Sequence, residues 1–590
     1  MLKRLVFLTS SVLFLSLSHL PASAQTVQQE INVLTERAKT GDARSLTALG
    51  SLYSDGKKID RDIPKAVKYF EEAAAKGDLD ALVALGYQYS SGKYIPADPA
   101  KALAYFQKAA DAGDARALSA VGNAYLNGKG VAPDPGKAIG LLQAAADKGD
   151  AGALVTLGYV YNAGKSVPAD PDKAFSLFQQ AADKGDLSAL SALAAAYGSG
   201  KGVPVDLARS VELYQQAADK GDTSALTALG YIYNAGKGVD KDEKKAVEYF
   251  EKAAALENVD ASLALGYAYY SGKGVSQDFA KAVTLFQSAA DKGNTGALTA
   301  LGYAYSAGKG VTRDVNRAME LFKQAADAGD ISALTALGYA YYSGKDVEAN
   351  PSEAVNLFKK AADAGDLSAL TALGYAYGSG TGVDQDRKAA ADYFSKAAEK
   401  GDSAAMLALG YAYNAGNGVD MNPTAAIDYF QKAADLGQTG AFTAMGYAYS
   451  AGKGVKKNQG TAIEYFTKAS ELGDSGADAA LGYAYSAGKG VKKSTEKAKL
   501  YFAKAIASAN SDGLAGMSVV DKNEMVSVVQ QRLKALSYYN GSINGQLDRR
   551  TIRSLMSFCT DRNIKSVCAA GPLSYEAIAV YGKELLKGSI

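Results

Sequence analysis

The sequence predicts an all-α protein: a right-handed α-solenoid of thirteen 36-residue helix-turn-helix repeats, followed by a small helical C-terminal domain. Three observations carry this expectation. Self-similarity at one fixed period runs from about residue 40 to residue 508. Each period holds two stretches of helical apolar spacing, punctuated by glycine. After Ser508 the period stops, and the small, Gly-containing stretch from Asn510 to Met517 marks a boundary before a non-repeating C-terminal segment.

The period is set by the glycine of a Leu-Gly-Tyr element, at Gly50, Gly86, Gly122, Gly158 and so on to Gly482, with Ala194 standing in once. Every interval is 36, and a Tyr always follows three residues after the mark and a Gly six after it. The unit from Asp222 to Leu256 is representative. Asp222 is a good N-cap, and Ala225, Leu226, Leu229 and Tyr233 recur at helical spacing. Gly236 supplies a left-handed residue to end that helix. Asp242 opens a second helix, whose Ala246, Phe250 and Ala253 share one face. Such a pair exposes its apolar stripe when alone; stacking on neighbours buries it, at about 1.5–3 kcal/mol per large side chain enclosed.

On a helical wheel Leu226, Leu229 and Tyr233 cluster on one side of the first helix, and Thr227, Tyr231 and Asn234 on the other. The Leu side must enter the stack, which leaves the other side for a groove. Its central position is Tyr in ten of thirteen units, including Tyr231, Tyr267, Tyr303, Tyr339, Tyr375, Tyr411 and Tyr447. Its expected neighbours are threonines such as Thr227, Thr299, Thr335 and Thr371, with charges nearly missing. Flat rings with polar edges suit sugars or an extended peptide, whereas phosphates and acidic polymers call for Arg or Lys. Ring packing between units is the alternative purpose of this tyrosine ladder. Two places break the rhythm, Leu193-Ala194-Ala195 and Glu257-Asn258; either is drift or a docking point.

Residues 1–24 have the three regions of a cleaved signal peptide: Lys3 and Arg4, an apolar stretch from Leu5 to Leu17, and Pro21-Ala22-Ser23-Ala24. An uncleaved anchor is the rival reading. The chain carries 64 Lys+Arg against 62 Asp+Glu, so losing Lys3 and Arg4 leaves 62 against 62, with no basic surplus for nucleic acid. The single histidine is His19, inside that leader. A mature chain without histidine excludes Ser-His-Asp, Cys-His and His-metal chemistry. No carboxylate pair stands apart from the repeating caps, so no catalytic residue, cofactor or metal is expected. Cys559 and Cys568 are the only cysteines, and export would let them pair as a disulfide; a two-ligand metal site is the alternative.

The Leu-Gly-Tyr-Ala-Tyr, Gly-Lys-Gly-Val and Lys-Ala-x-x-x-Phe-x-x-Ala-Ala elements resemble the Sel-like repeat family, solenoids related to TPR proteins. The likeness covers roughly residues 30–508 and implies a scaffold or adaptor that does no chemistry. The segment from Val528 to Gly545, with Arg550 to Phe558, is similar to the small helical peptidoglycan-binding domain, although Cys559 and Leu547 depart from its pattern. That resemblance makes Tyr538, Tyr539, Asn544, Arg549, Arg550 and Arg553 the candidates for touching the cell wall. The expected organisation is therefore signal peptide 1–24, solenoid 25–508, linker 509–521 and peptidoglycan-binding-like domain 522–590. The expected setting is the periplasm, with secretion as the alternative and no stable membrane anchor after cleavage. Partners would be envelope proteins, polysaccharide, or both, with peptidoglycan as a further candidate and no nucleic acid. By resemblance, one role is a scaffold for exopolysaccharide assembly or secretion. The other is an adaptor holding the periplasmic domain of a sensor kinase or a polar organising complex.

Overall fold

The computed structural model describes residues 22–571 and 573–587. The signal-peptide expectation falls mostly outside them; only Ala22 to Ala24 are described, within the helix Ala22–Lys39. Among the described residues there are 32 helices and no strand. Two compact units divide at residues 294 and 295. The first holds the helix Ala22–Lys39 and seven repeats; the second holds six repeats and the C-terminal helices.

The local rules act as their residue types demand. In the representative repeat the first helix is Thr223–Ala235; the Asp222 side chain accepts from the backbone N–H groups of Ser224 and Ala225, and Gly236 ends it at φ 69°. The second helix, Glu243–Ala255, is opened by Asp242, whose side chain accepts from the N–H of Lys245. The loop between them is closed by one backbone bond, Asp242 N–H to the Tyr233 carbonyl at 2.9 Å. The same bond recurs in every repeat, from Asp62 to Tyr53 through Ser494 to Tyr485. That fixed closure, together with the left-handed glycine, explains why no unit gains or loses a residue.

Packing within a repeat turns on the marker glycine. A Cβ added at Gly338 would lie 2.4 Å from the Phe358 ring. Its absence lets the ring from the second helix pack directly against the backbone of the first, where Phe358 is fully buried together with Ala333 and Ala361. Consecutive repeats share this core, so buried area accumulates through nearest neighbours.

The linker expected over 509–521 is instead a helix, Ser511–Val520, capped by Asn510. It begins 36 residues after Ser475, the start of the preceding first helix, and so occupies the place of a truncated fourteenth unit. Its small residues, which in sequence suggested flexibility, permit close approach: Cβ atoms added at Gly513 and Gly516 would meet Ala505 at 2.7 Å and the Phe502 ring at 2.1 Å. The core of the C-terminal helices is continuous with it. Phe502, Leu514 and Met517 belong to one buried cluster with Val529, Leu533, Phe558, Ile578 and Tyr581. The C-terminal domain is thus seated directly on the last repeat.

Opposite signs are expected for two glycine-to-alanine changes. Gly338→Ala forces the Phe358 ring off its seat and destabilises the chain by about 1–3 kcal/mol. Gly140→Ala, in a helix where an added Cβ meets nothing within 4 Å, stabilises by up to about 1 kcal/mol. Urea denaturation followed by circular dichroism measures both.

Candidate functional site: a tyrosine ladder

The groove tyrosines are both packed and presented. Nine of them, from Tyr87 to Tyr447, are 46–55% exposed. Each nevertheless stands edge-on against the phenylalanine of its own second helix, as Tyr339 does on Phe358 with ring centroids 5.1 Å apart and planes at 63°. The same contact occurs at Tyr231, Tyr267, Tyr303, Tyr375, Tyr411 and Tyr447. One edge of each ring is held by an aromatic contact and the rest faces solvent, an arrangement that pre-orders a binding surface.

The threonines do not join this surface. Thr227, Thr299, Thr335 and Thr371 are buried, between 4 and 7% exposed. They lie on the same helical side as the tyrosines, but their short side chains stop beneath the neighbouring first helix. Thr335 Oγ1 donates to Asp366 Oδ2, the N-cap of the next unit, at 2.8 Å, so this residue ties units together. Nor is the face without charge. The N-cap carboxylates of following units border the ladder: Asp114 and Asp150 act on Tyr87, Asp186 and Asp222 on Tyr159, Asp366 and Asp402 on Tyr339. Sequence reading assigned these aspartates to capping alone, since their proximity to the rings appears only once units are stacked.

Burial, and then these carboxylates, raise the ladder phenols above their ordinary value, as at Tyr303 and Tyr339. Burial pushes Asp366 the other way from its outcome; hydrogen bonds from Ser368, Thr335 and backbone N–H groups hold it below the usual carboxylate range. It therefore stays ionised beside the rings.

The irregular unit at Ala194 is a coordinated change. Ala194 replaces the marker glycine, Ala195 the ladder tyrosine, Ser210 an alanine and Tyr214 the phenylalanine. Ser210 Oγ donates to the Ala194 carbonyl at 2.6 Å. Tyr214 lies beside Tyr159, and burial, with Tyr159 and Asp222, pushes its phenol up to about 12. A ring from the second helix thus stands in the ladder where Ala195 has none. At the other irregularity Asn258 still caps its helix, its side chain accepting from Ala261 N–H.

In the C-terminal domain the candidates separate. Arg549, Arg550 and Arg553 are exposed. Tyr539 is 4% exposed, so its ring is core and not a wall contact; its hydroxyl donates to the Ser542 carbonyl at 2.9 Å. Tyr538 donates to Asp561 Oδ2 at 2.8 Å. The Asn544 side-chain oxygen accepts from Gln530 Nε2 and from Gln546 N–H, which makes it a loop brace. Gln530, fully buried, organises this region by also accepting from Asn544 and Gly545 N–H; in sequence the Gln530-Gln531 pair only contributed to a resemblance, and nothing there distinguished the buried Gln from its neighbour. Cys559 and Cys568 are joined as a disulfide. Among the described residues no group of three or more His, Cys, Asp or Glu could hold a metal, and no helix is long and apolar enough to cross a membrane.

Similar helical pairs that present a tyrosine at the same place in ten of thirteen units are the build of a repeat protein that binds other macromolecules. The family model described as Sel1 repeat matches thirteen segments, from 43–78 through 475–510, and the chain belongs to that family. Sel1 repeat proteins are protein-interaction scaffolds. Among solved structures the chain is similar to a protective antigen of uropathogenic Escherichia coli displaying an SLR fold, at 28% identity and TM-score 0.42, covering 78% of this chain and 94% of that one. It is also similar to a Sel1 repeat protein from Oxalobacter formigenes, at 31% identity and TM-score 0.36, covering 51% and 88% respectively. No curated protein matches.

Alkaline titration tests the ladder's environment. The folded chain favours the neutral phenols, so the unfolded chain releases these protons first. The associated stability is intact below about pH 10 and is lost as pH rises through the raised folded values. Tyrosinate absorbance is expected to appear later in the native chain than in urea, and melting temperature to fall across that window.

Proposed function

We infer that this chain is a non-enzymatic scaffold of the bacterial envelope whose tyrosine ladder grips an extended segment of a client protein. The observation that carries the reading is the row of half-exposed rings, each braced edge-on by a buried phenylalanine. Such rings give large contact area with little ordering cost on binding. Polypeptide is the favoured occupant because the bordering aspartates would repel an acidic polysaccharide, while peptide N–H groups find acceptors there. The basic, apolar, small-x-small leader supports export to the periplasm.

Within this proposal, exopolysaccharide assembly or secretion is the process such a scaffold would organise, its client being a protein of that machinery. A sensor kinase's periplasmic domain is the second client type. The C-terminal domain would bring the solenoid to the cell wall through the exposed Arg549, Arg550 and Arg553, a reading supported by its likeness to peptidoglycan-binding helices.

Photo-crosslinking in living cells tests the ladder directly. A photoreactive residue replacing Tyr339 is expected to give a discrete protein adduct that is missing when the same residue replaces the exposed Lys309. A polydisperse, carbohydrate-positive smear would contradict the protein reading in favour of a polymer, and no adduct at all would leave the ladder as packing.

A further inference from the structure

The position four residues after each marker also lies beside the ladder, and its size affects how much space is left between consecutive units. Tyr270 and Tyr342 fill it, packing on Phe286 and Phe358 with centroids 6.4 and 6.2 Å apart. Gly198 and Gly378 leave it empty. A cavity of about 510 Å³ borders Gly198 and one of about 380 Å³ borders Gly378. Both fall within the size of pockets that hold ligands, about 300–1,000 Å³.

The Gly378 cavity carries a second peculiarity. Its apolar walls are Tyr375, Phe394, Leu407 and Tyr411, and Arg387 and Asn417 stand at its polar edge. Arg387 is the first residue of the helix Arg387–Glu399. The equivalent position is apolar, often proline, in nine units, and no other unit has a cation there. A cation at a helix N-terminus is opposed by the helix dipole, and Arg387 has no ion-pair partner among the described residues. Meanwhile the lysine that follows the turn glycine in eleven units is Thr381 in this unit and Asn417 in the next. Positive charge is thus missing from the two flanking turns and present instead on the wall of this cavity. A carboxylate also acts on a ring of this cavity, Asp402 on Tyr375.

The geometry points to an anchor site: the Gly378 cavity receives one bulky apolar side chain of a client protein's extended segment, and an adjacent Asp or Glu of that segment pairs with Arg387. This rests on the reading that the ladder binds a protein segment. Charge complementarity fixes the chemistry and the orientation, because the acidic neighbour is drawn to Arg387 and turned away from Asp402. The Gly198 cavity has Leu207 at the position of Arg387 and carries its positive charge on the turn, at Lys237, so the two cavities would place an acidic neighbour differently.

The test is selection of random short peptides displayed on phage against the full chain. Gly378→Tyr reproduces what Tyr342 does in its own unit, and a Cβ at 378 has its nearest neighbour, the Ala390 Cβ, at 3.6 Å, so this variant keeps the fold. Melting curves verify it. Selected peptides are expected to place a large apolar residue next to Asp or Glu and to lose at least about tenfold in affinity on Gly378→Tyr and on Arg387→Glu. Changing the peptide's acid to Lys should restore binding to Arg387→Glu. Peptides that bind wild type and both variants equally, yet lose binding on Tyr303→Ala, would overturn the anchor and leave the ladder reading standing. Loss on Gly378→Tyr alone would overturn the pairing with Arg387. A selection yielding no binder would overturn the ladder reading and the anchor with it.

Discussion

The seat of a phenylalanine ring on a glycine backbone is the contact from which the rest of the structure follows. At Gly338 a single added carbon would stand 2.4 Å from Phe358. Because the ring can lie there, the two helices of a repeat approach closely and bury Ala and Leu around it. Because the ring is fixed, Tyr339 has an edge to lean on, and a half-exposed tyrosine becomes an ordered one. Repetition at a constant interval then converts a local contact into a ladder.

The exceptions support this dependence. Each of the ten groove tyrosines has a phenylalanine beneath it, down to Tyr483 on Phe502 at 5.0 Å. Where the ring is Leu142, the groove residue is Asn123, and where the marker is Ala194, the groove residue is Ala195 and the ring is Tyr214. In these two units the ring and the groove residue change together, as expected of neighbours in a close-packed interior, while Ser51 over Gly50 and Phe70 shows that the ring can be kept without its tyrosine. The cavities at Gly198 and Gly378 arise on the same face, by deletion of a side chain and not by distortion of the backbone.

Fold was legible in the sequence because the repeat states each local rule thirteen times. Asp222, Gly236 and Asp242 act as cap, stop and cap in the structure as their chemistry requires. The tyrosine side of the first helix was legible for the same reason, since a wheel needs only the period. What the wheel could not show is depth. Thr335 and Tyr339 share a side, yet side-chain length and the next unit's Asp366 bury one and leave the other half in solvent. The segment 511–520 was misread because small residues signal flexibility when isolated and tight packing when a partner helix is present. Tyr539 was misplaced on the surface because the sequence does not show which of Gln530 and Gln531 is buried, and it is the buried Gln530 whose bonds shape that loop.

The account holds that the ladder rings are braced from beneath and open from above. Tyrosine-selective nitration of the native chain, read out residue by residue by mass spectrometry, tests that most directly. Tyr87, Tyr159, Tyr231, Tyr303, Tyr339, Tyr375, Tyr411 and Tyr447 should be modified, while buried Tyr269, Tyr539 and Tyr581 stay intact until the chain is unfolded. Protection of the ladder tyrosines equal to that of Tyr581 would contradict it, since the rings would then serve packing alone and present no face to a client.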